Sequence, residues 1–180
     1  MIKRVPTKRL VFLDESGLNC SMTRSCAWVK RGAEYVERVP MNWGKNLTLI
    51  GAIKVDGWVV LSTMFETANT ERFQIWLRRV LLPKLRRGDV LVMDNWRAHR
   101  DRGVVPLCAR FGVRVIYLPP YSPDLNPIEP GWALQKQYVR KHAPRDPHAL
   151  RRVARRARHR VTQRHCRNWF AKSGYQVQHN

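Results

Sequence analysis

The chain has 180 residues, enough for one well-packed domain with a helical addition. An apolar share of 44% excludes wholesale disorder, and no run approaches the roughly 18 apolar residues that a bilayer span needs. Thirty-four Lys and Arg against 13 Asp and Glu give a net charge of +21, which points to a polyanionic partner, nucleic acid first. The opening MIKRVPTKRL is charged and lacks an apolar signal core, so no secretory address is read. Cys20, Cys26, Cys108 and Cys166 form no CxxC pair; a disulfide framework is excluded and a reducing cytosol is the expected compartment. Cys166 beside His165, with His159 near, fits no familiar zinc spacing, and they read as surface residues on a basic helix.

Residues 9–14 form the first predicted strand, apolar on both faces and ending at Asp14. Residues 18–46 read as an irregular, partly basic excursion that touches a partner, with a short strand over Ser25–Lys30; Trp28, Arg31-Gly32 and Trp43-Gly44 mark it. Leu47–Val55 and Trp58–Phe65 are two strand-forming runs joined by Asp56-Gly57, a favoured hairpin turn. Asn69 or Thr70 caps a helix that carries Phe73, Trp76, Leu77, Val80 and Leu81 at helical spacing and stops at Pro83. Val90–Met93 is a strand ending at Asp94. Residues 102–111 form a short helix with Gly112 at its C-terminus, and Val113–Leu118 is the last strand. Next comes LPPYSPDLNPIEPGW, a loop stiffened by Pro119, Pro120, Pro123 and Pro127 that delivers Glu129 to a helix start.

The order is strand, hairpin, helix, strand, helix, strand, helix. A mixed five-stranded sheet with helices on its faces satisfies it, the first and fourth strands lying parallel and adjacent. This is the ribonuclease H-like α/β arrangement, and it brings Asp14 and Asp94 to one edge. Residues 1–145 are read as that domain and residues 146–180 as a basic helical extension. Residues 131–180 hold 13 Lys and Arg and only Asp146 as an acid. Leu150, Val153, Ala157 and Val161 make an apolar stripe there, and Arg151, Arg152, Arg155, Arg156, Arg158 and Arg160 cover the rest as a polyanion-contacting face.

Three carboxylates at the ends of three elements suit metal-dependent phosphoryl transfer, because hard divalent cations take oxygen ligands. Each also has a structural reading. Asp14 could cap the turn at Ser16-Gly17, and Asp94 could open the turn through Asn95. With Asn126 as N-cap and Pro127 at the first helical position, Glu129 falls at the reciprocal capping-box site. His99 could orient a water or a phosphate, or simply pack. Glu15 alternates to the opposite side of the strand from Asp14 and reads as supporting or structural.

The blocks FLDESG, VLVMDNWRAH and LPPYSPDLNPIEPGW resemble the three signatures of DDE transposases of the mariner superfamily, bacterial insertion-sequence branch. The 34 residues between Asp94 and Glu129 agree with the interval typical of that group. The resemblance covers roughly residues 9 to 145. It implies that Asp14, Asp94 and Glu129 are the catalytic triad and hold two Mg²⁺ or Mn²⁺ ions, with Glu15, Asn95, His99 and Asn126 as candidate supporting residues. It implies hydrolysis at a transposon end, then attack of the freed 3′-hydroxyl on target DNA, usually at TA, by a dimer on DNA. Relatives carry helix-turn-helix modules before the first aspartate. Here Asp14 lies close to Met1, so a separately encoded subunit or a frameshift fusion is expected to supply them, unless the gene is truncated. The implied location is cytoplasmic, on the nucleoid, with no membrane partner. Two alternatives stand beside this reading: a non-catalytic nucleic-acid-binding remnant, and another ribonuclease H-like nuclease.

Overall fold

The computed structural model describes residues 2–41, 44–65 and 69–177. Among them, five strands form one mixed sheet in the order β3-β2-β1-β4-β5. The strands are β1 (Leu10–Leu18), β2 (Leu47–Lys54), β3 (Gly57–Met64), β4 (Val90–Met93) and β5 (Arg114–Tyr117). The helices are α1 (Thr70–Trp76), α2 (Val104–Arg110), α3 (Glu129–His142), α4 (Pro147–Ala157) and α5 (Gln163–Lys172). None is long and apolar enough to cross a membrane.

Alternation along β1 divides the core. Val11 and Leu13 face one side, where Phe73 and Trp76 of α1 and Val104 and Cys108 of α2 pack. Leu10 and Phe12 face the other, beneath Trp132 and Val139 of α3, Leu150 and Ala154 of α4 and Phe170 of α5. Burial on both faces explains why Leu10–Leu13 of β1 and the whole of β4 are continuous apolar runs in place of alternating ones. The segment after residue 145 thus packs into the same core as β1.

The parallel β1–β4 pairing sets Phe12 beside Val92. Two residues further along each chain, Asp94 follows the end of β4, while Asp14 lies in the middle of β1, which does not end there as expected but runs on to Leu18 in antiparallel pairing with β2. β5 joins β4 in parallel, and the Leu118 N–H continues that ladder to the Met93 carbonyl at 2.8 Å.

Several local expectations are corrected. The hairpin turn is Val55-Asp56, and Gly57 already pairs with Lys54 as the first residue of β3. Gly57 has φ +139, and the register slips between Ala52 and Ile53, so the extra residue is absorbed in the strand as a bulge. Ser25–Lys30 is not a strand. The excursion on either side of it is tied down by side chains: Arg145 pairs with Glu37 at 2.6 Å and donates to the Cys20 and Met22 carbonyls, and Arg24 donates to the Lys141 carbonyl. Trp43, named with that excursion, lies outside the described residues. Asn69 does cap α1, accepting from the Arg72 N–H. The helix then widens into a π turn over Leu77–Leu81 before Pro83 ends it. Val161 lies beyond α4 in extended backbone, so Leu150, Ala154 and Ala157 form the stripe that is buried. His165 completes a capping box with Thr162 at the start of α5, and Cys166 is fully buried.

Candidate functional site

Beyond the end of β4, beside Asp14 in the middle of β1, lies a cavity of about 390 Å³. Asp14, Asp94 and Glu129 all line it, with Asn95, Asn126 and the proline loop from Leu118 to Pro123. That loop is held by Asn95, whose Nδ2 donates to the Leu118 carbonyl, while Arg100 donates to Asn95 Oδ1 at 2.8 Å. Asn95 therefore joins the ends of β4 and β5. Tyr121 sits at the rim, fully exposed, with φ +53.

Asp14 projects on the α3 side. Its Oδ1 accepts from the Glu15 N–H at 2.8 Å, and its Oδ2 accepts from Trp132 Nε1 at 3.1 Å, with Asn126 Nδ2 at a long 3.5 Å. Burial pushes its carboxyl up to about 7; the Glu15 amide opposes this, and the charges of Glu15 and Glu129 add to it. A carboxyl so placed favours a neighbouring cation.

Asp94 is held from the opposite face. Its Oδ1 accepts from the Trp96 N–H at 2.9 Å and from His99 Nδ1 at 2.6 Å. His99 is fully buried, and its Nε2 lies 3.1 Å from Glu15 Oε1. Ionised carboxylates only accept, so both ring nitrogens carry protons and the imidazole is a cation. Burial alone would lower its pKa; the hydrogen bonds to Asp94 and Glu15 outweigh it and hold the ring at about 9. Burial likewise pushes Asp94 up, but the His99 and Trp96 hydrogen bonds leave its carboxyl below the usual range. The ring packs 4.7 Å from Phe73 and edge-on to Trp96, and its own carbonyl accepts from the Tyr117 hydroxyl. Strand alternation does turn Glu15 away from Asp14, and it meets His99 there.

Glu129 is the first residue of α3, and Asn126 lies outside the helix. The expected capping box is absent. The Asn126 carbonyl accepts from the Glu129 N–H, but its side chain turns toward Asp14 and so does not cap. With Ile128 and Pro127 completing a turn before the helix, the glutamate is left to face the cavity.

The donor set fits a hard divalent cation. Every cavity-lining charge of the triad is an oxygen donor, and Asn126 Oδ1 is buried with no hydrogen-bond partner among the described residues. Among the described residues, no three His, Cys, Asp or Glu side chains stand close enough to hold a metal ion by themselves. An open set is what Mg²⁺ accepts, because it retains water and takes phosphate oxygens.

Trp132 and Gly51 were not singled out from sequence. Trp132 follows Glu129 by three residues and so shares its helix face, a signal that was available. Gly51 carried none. Of the six arginines, Arg151 is bound to the sheet edge, donating to Thr63 Oγ1 at 3.3 Å and lying 5.9 Å over the Phe65 ring. Arg152, Arg155, Arg156, Arg158 and Arg160 are exposed.

Residues 9–151 match the DDE superfamily endonuclease family. No curated protein matches the chain by sequence. Among solved structures, the Mos1 mariner paired-end complex with Mn is similar with a TM-score of 0.72 at 18% identity, over 93% of this chain and 53% of that one. The catalytic domain of the Mos1 mariner transposase gives 0.56 at 18%, over 96% and 85%. A simian T-cell lymphotropic virus intasome gives 0.55 at 12%, over 83% and 48%. Identities this low carry the ribonuclease H-like fold and nothing finer. The chain spans between 53% and 58% of the Mos1 chains in three of the complexes.

Proposed function

The chain belongs to the DDE superfamily of endonucleases, and from that premise we propose that it is the catalytic domain of a transposase of the mariner superfamily, bacterial insertion-sequence branch. The observation that carries the reading is the one cavity lined by Asp14 of β1, Asp94 just after β4 and Glu129 after the proline loop. These three would hold two Mg²⁺ or Mn²⁺ ions. Bound there, the ions would supply positive charge to the attacking and leaving oxygens of a phosphodiester.

The chain's own contribution is positioning. Asp14 is fixed by the Glu15 amide and Trp132, Asp94 by His99 and the Trp96 amide, and Glu129 by the helix start. Water attacks the phosphorus at an element end and the 3′-oxygen leaves with a proton. That 3′-hydroxyl then attacks a target phosphodiester at a TA step; one bond forms as one breaks, so no energy source is needed. The excursion at residues 18–46 leaves Trp28 and Met41 almost wholly exposed and suits contact with a second copy on DNA. The work would be done on the nucleoid.

The test is metal-dependent nicking by the purified chain. Supercoiled DNA, duplex inverted repeats, RNA–DNA hybrids and junctions are each incubated with Mg²⁺ or Mn²⁺. Cutting of duplex DNA only with metal is the expected result. A chain that binds no Mn²⁺ and cuts nothing overturns the reading, and preference for hybrids or junctions moves it to a different nuclease.

The exposed arginines on and after α4 are expected to contact phosphates. Replacing Arg152, Arg155 and Arg156 with Ala should weaken DNA binding. It should flatten the slope of log affinity against log salt by about 0.9 for each phosphate contact removed. Fluorescence anisotropy across a salt series checks this, and an unchanged slope would mean that these side chains merely face solvent.

A further inference from the structure

We propose that Trp132 is a positioning residue for Asp14, seated for that task by Gly51, and that its indole N–H sets the affinity of the site for its divalent cation. The inference rests on the metal-binding reading above and adds the group that aims the first carboxylate.

Gly51 of β2 stands directly beside Asp14 of β1 in the antiparallel register, and Leu61 of β3 is its other neighbour. The space above Gly51 is filled by two indoles. A Cβ added there would lie 2.8 Å from Trp58 Cζ3, 2.9 Å from Trp132 Cη2 and 3.1 Å from Leu61 Cδ1. Only glycine leaves room for both rings. Trp58 and Trp132 pack at 5.3 Å between centroids with 42° between planes. Gly131, just before Trp132, is also close to Trp58, whose ring would lie 3.5 Å from a Cβ there.

The result is a Trp132 ring with 2% exposure and one direction for its N–H, toward Asp14 Oδ2. An indole N–H is a donor with no acceptor function, so it fixes the carboxylate plane without competing for it. Oδ1 is held by the Glu15 N–H, and at Oδ2 the indole N–H at 3.1 Å is nearer than Asn126 Nδ2 at 3.5 Å. Groups that orient a ligating carboxylate in this way commonly govern metal affinity or activity by about 10–100-fold. Packing alone explains a buried tryptophan; it does not explain a glycine seat that directs the polar edge of the ring at an acid.

The test uses the full chain and Mn²⁺ as the probe. Calorimetry gives the Mn²⁺ affinity of the wild type, of Trp132→Phe, and of a chain with benzothienylalanine at 132, which keeps the ring's shape but has sulfur in place of N–H. Nicking of supercoiled DNA is followed against Mn²⁺ concentration. The expected result is a loss of Mn²⁺ affinity of about tenfold or more in both variants, with nicking recovered at saturating metal. The benzothienyl chain should melt as the wild type does. A benzothienyl chain that binds Mn²⁺ with wild-type affinity overturns the proposal, whether or not Trp132→Phe folds. A wild-type chain that binds no Mn²⁺ instead overturns the functional reading, and this inference falls with it.

Discussion

Asp94→Asn is expected to abolish metal-dependent nicking while leaving the fold intact. The amide keeps an oxygen that accepts from His99 Nδ1 and the Trp96 N–H, so the contacts that seat the side chain survive. What it loses is the negative charge facing the cavity. Metal charge at a phosphoryl centre is worth several kcal/mol, and each 1.36 kcal/mol is a factor of ten in rate, so the loss should be about 10³-fold or more. Calorimetry should show Mn²⁺ binding weakened in parallel. Circular dichroism and thermal melting should place the variant close to the wild type. Full nicking by this variant would mean that Asp94 only closes a turn, and the chain would then be a nucleic-acid binder or a nuclease working from other residues.

His99→Ala makes a useful contrast, because it removes the cation between two carboxylates and leaves Asp94 and Glu15 facing each other across a hole. That variant should lose stability as well as activity. Removing one partner of a fully buried ion pair costs about 3–5 kcal/mol, and because the Asp94 side chain is half exposed the loss here should fall below that range. The pair of variants separates loss of a ligand from collapse of its support.

That Asp14, Asp94 and Glu129 would share one cavity was legible because each adjoins a strongly encoded segment. Residues 10–13 and 90–93 are unbroken apolar runs, and four prolines announce the loop before Glu129. The sheet order followed from connection rules acting on that sequence of elements. What escaped depended on distant partners. Asn126 looked like a helix cap because the three residues after it fit the pattern. Its side chain is instead drawn to Asp14, 112 residues away, and no local rule contains that contact. His99 read equally as packing or chemistry until Glu15 and Asp94 were found on its two nitrogens. Asp56-Gly57 suited a tight turn, but the register slip at Ala52 moved the turn back by one residue. The excursion after β1 promised a short strand at Ser25–Lys30, yet arginines moor it to carbonyls and to Glu37 in place of a ladder.

Phe170→Ala is expected to destabilise the chain by about 3–5 kcal/mol, the usual range for emptying a buried phenylalanine site. Phe170 is fully buried on α5, and its ring meets Phe12 of β1 edge-on at 5.3 Å. Tyr175 closes the cluster, 5.0 Å from Phe12 and 6.0 Å from Phe170, and its hydroxyl donates to the Leu125 carbonyl at 2.7 Å. Leu125 lies in the loop that leads into Glu129. The basic C-terminal helices therefore cover the face of the sheet that carries Asp14 and hold the loop that delivers the third carboxylate. Urea denaturation should show a lower midpoint with an unchanged slope, the sign of lost stability in a single cooperative unit. If the same chain lost less than about 1 kcal/mol, well under the cost of a true core cavity, residues 146–180 would be a separable extension. The larger loss would mean that the arginine-bearing helices and the carboxylate cavity fold and unfold together. DNA held by the one would then be fixed in position relative to the other.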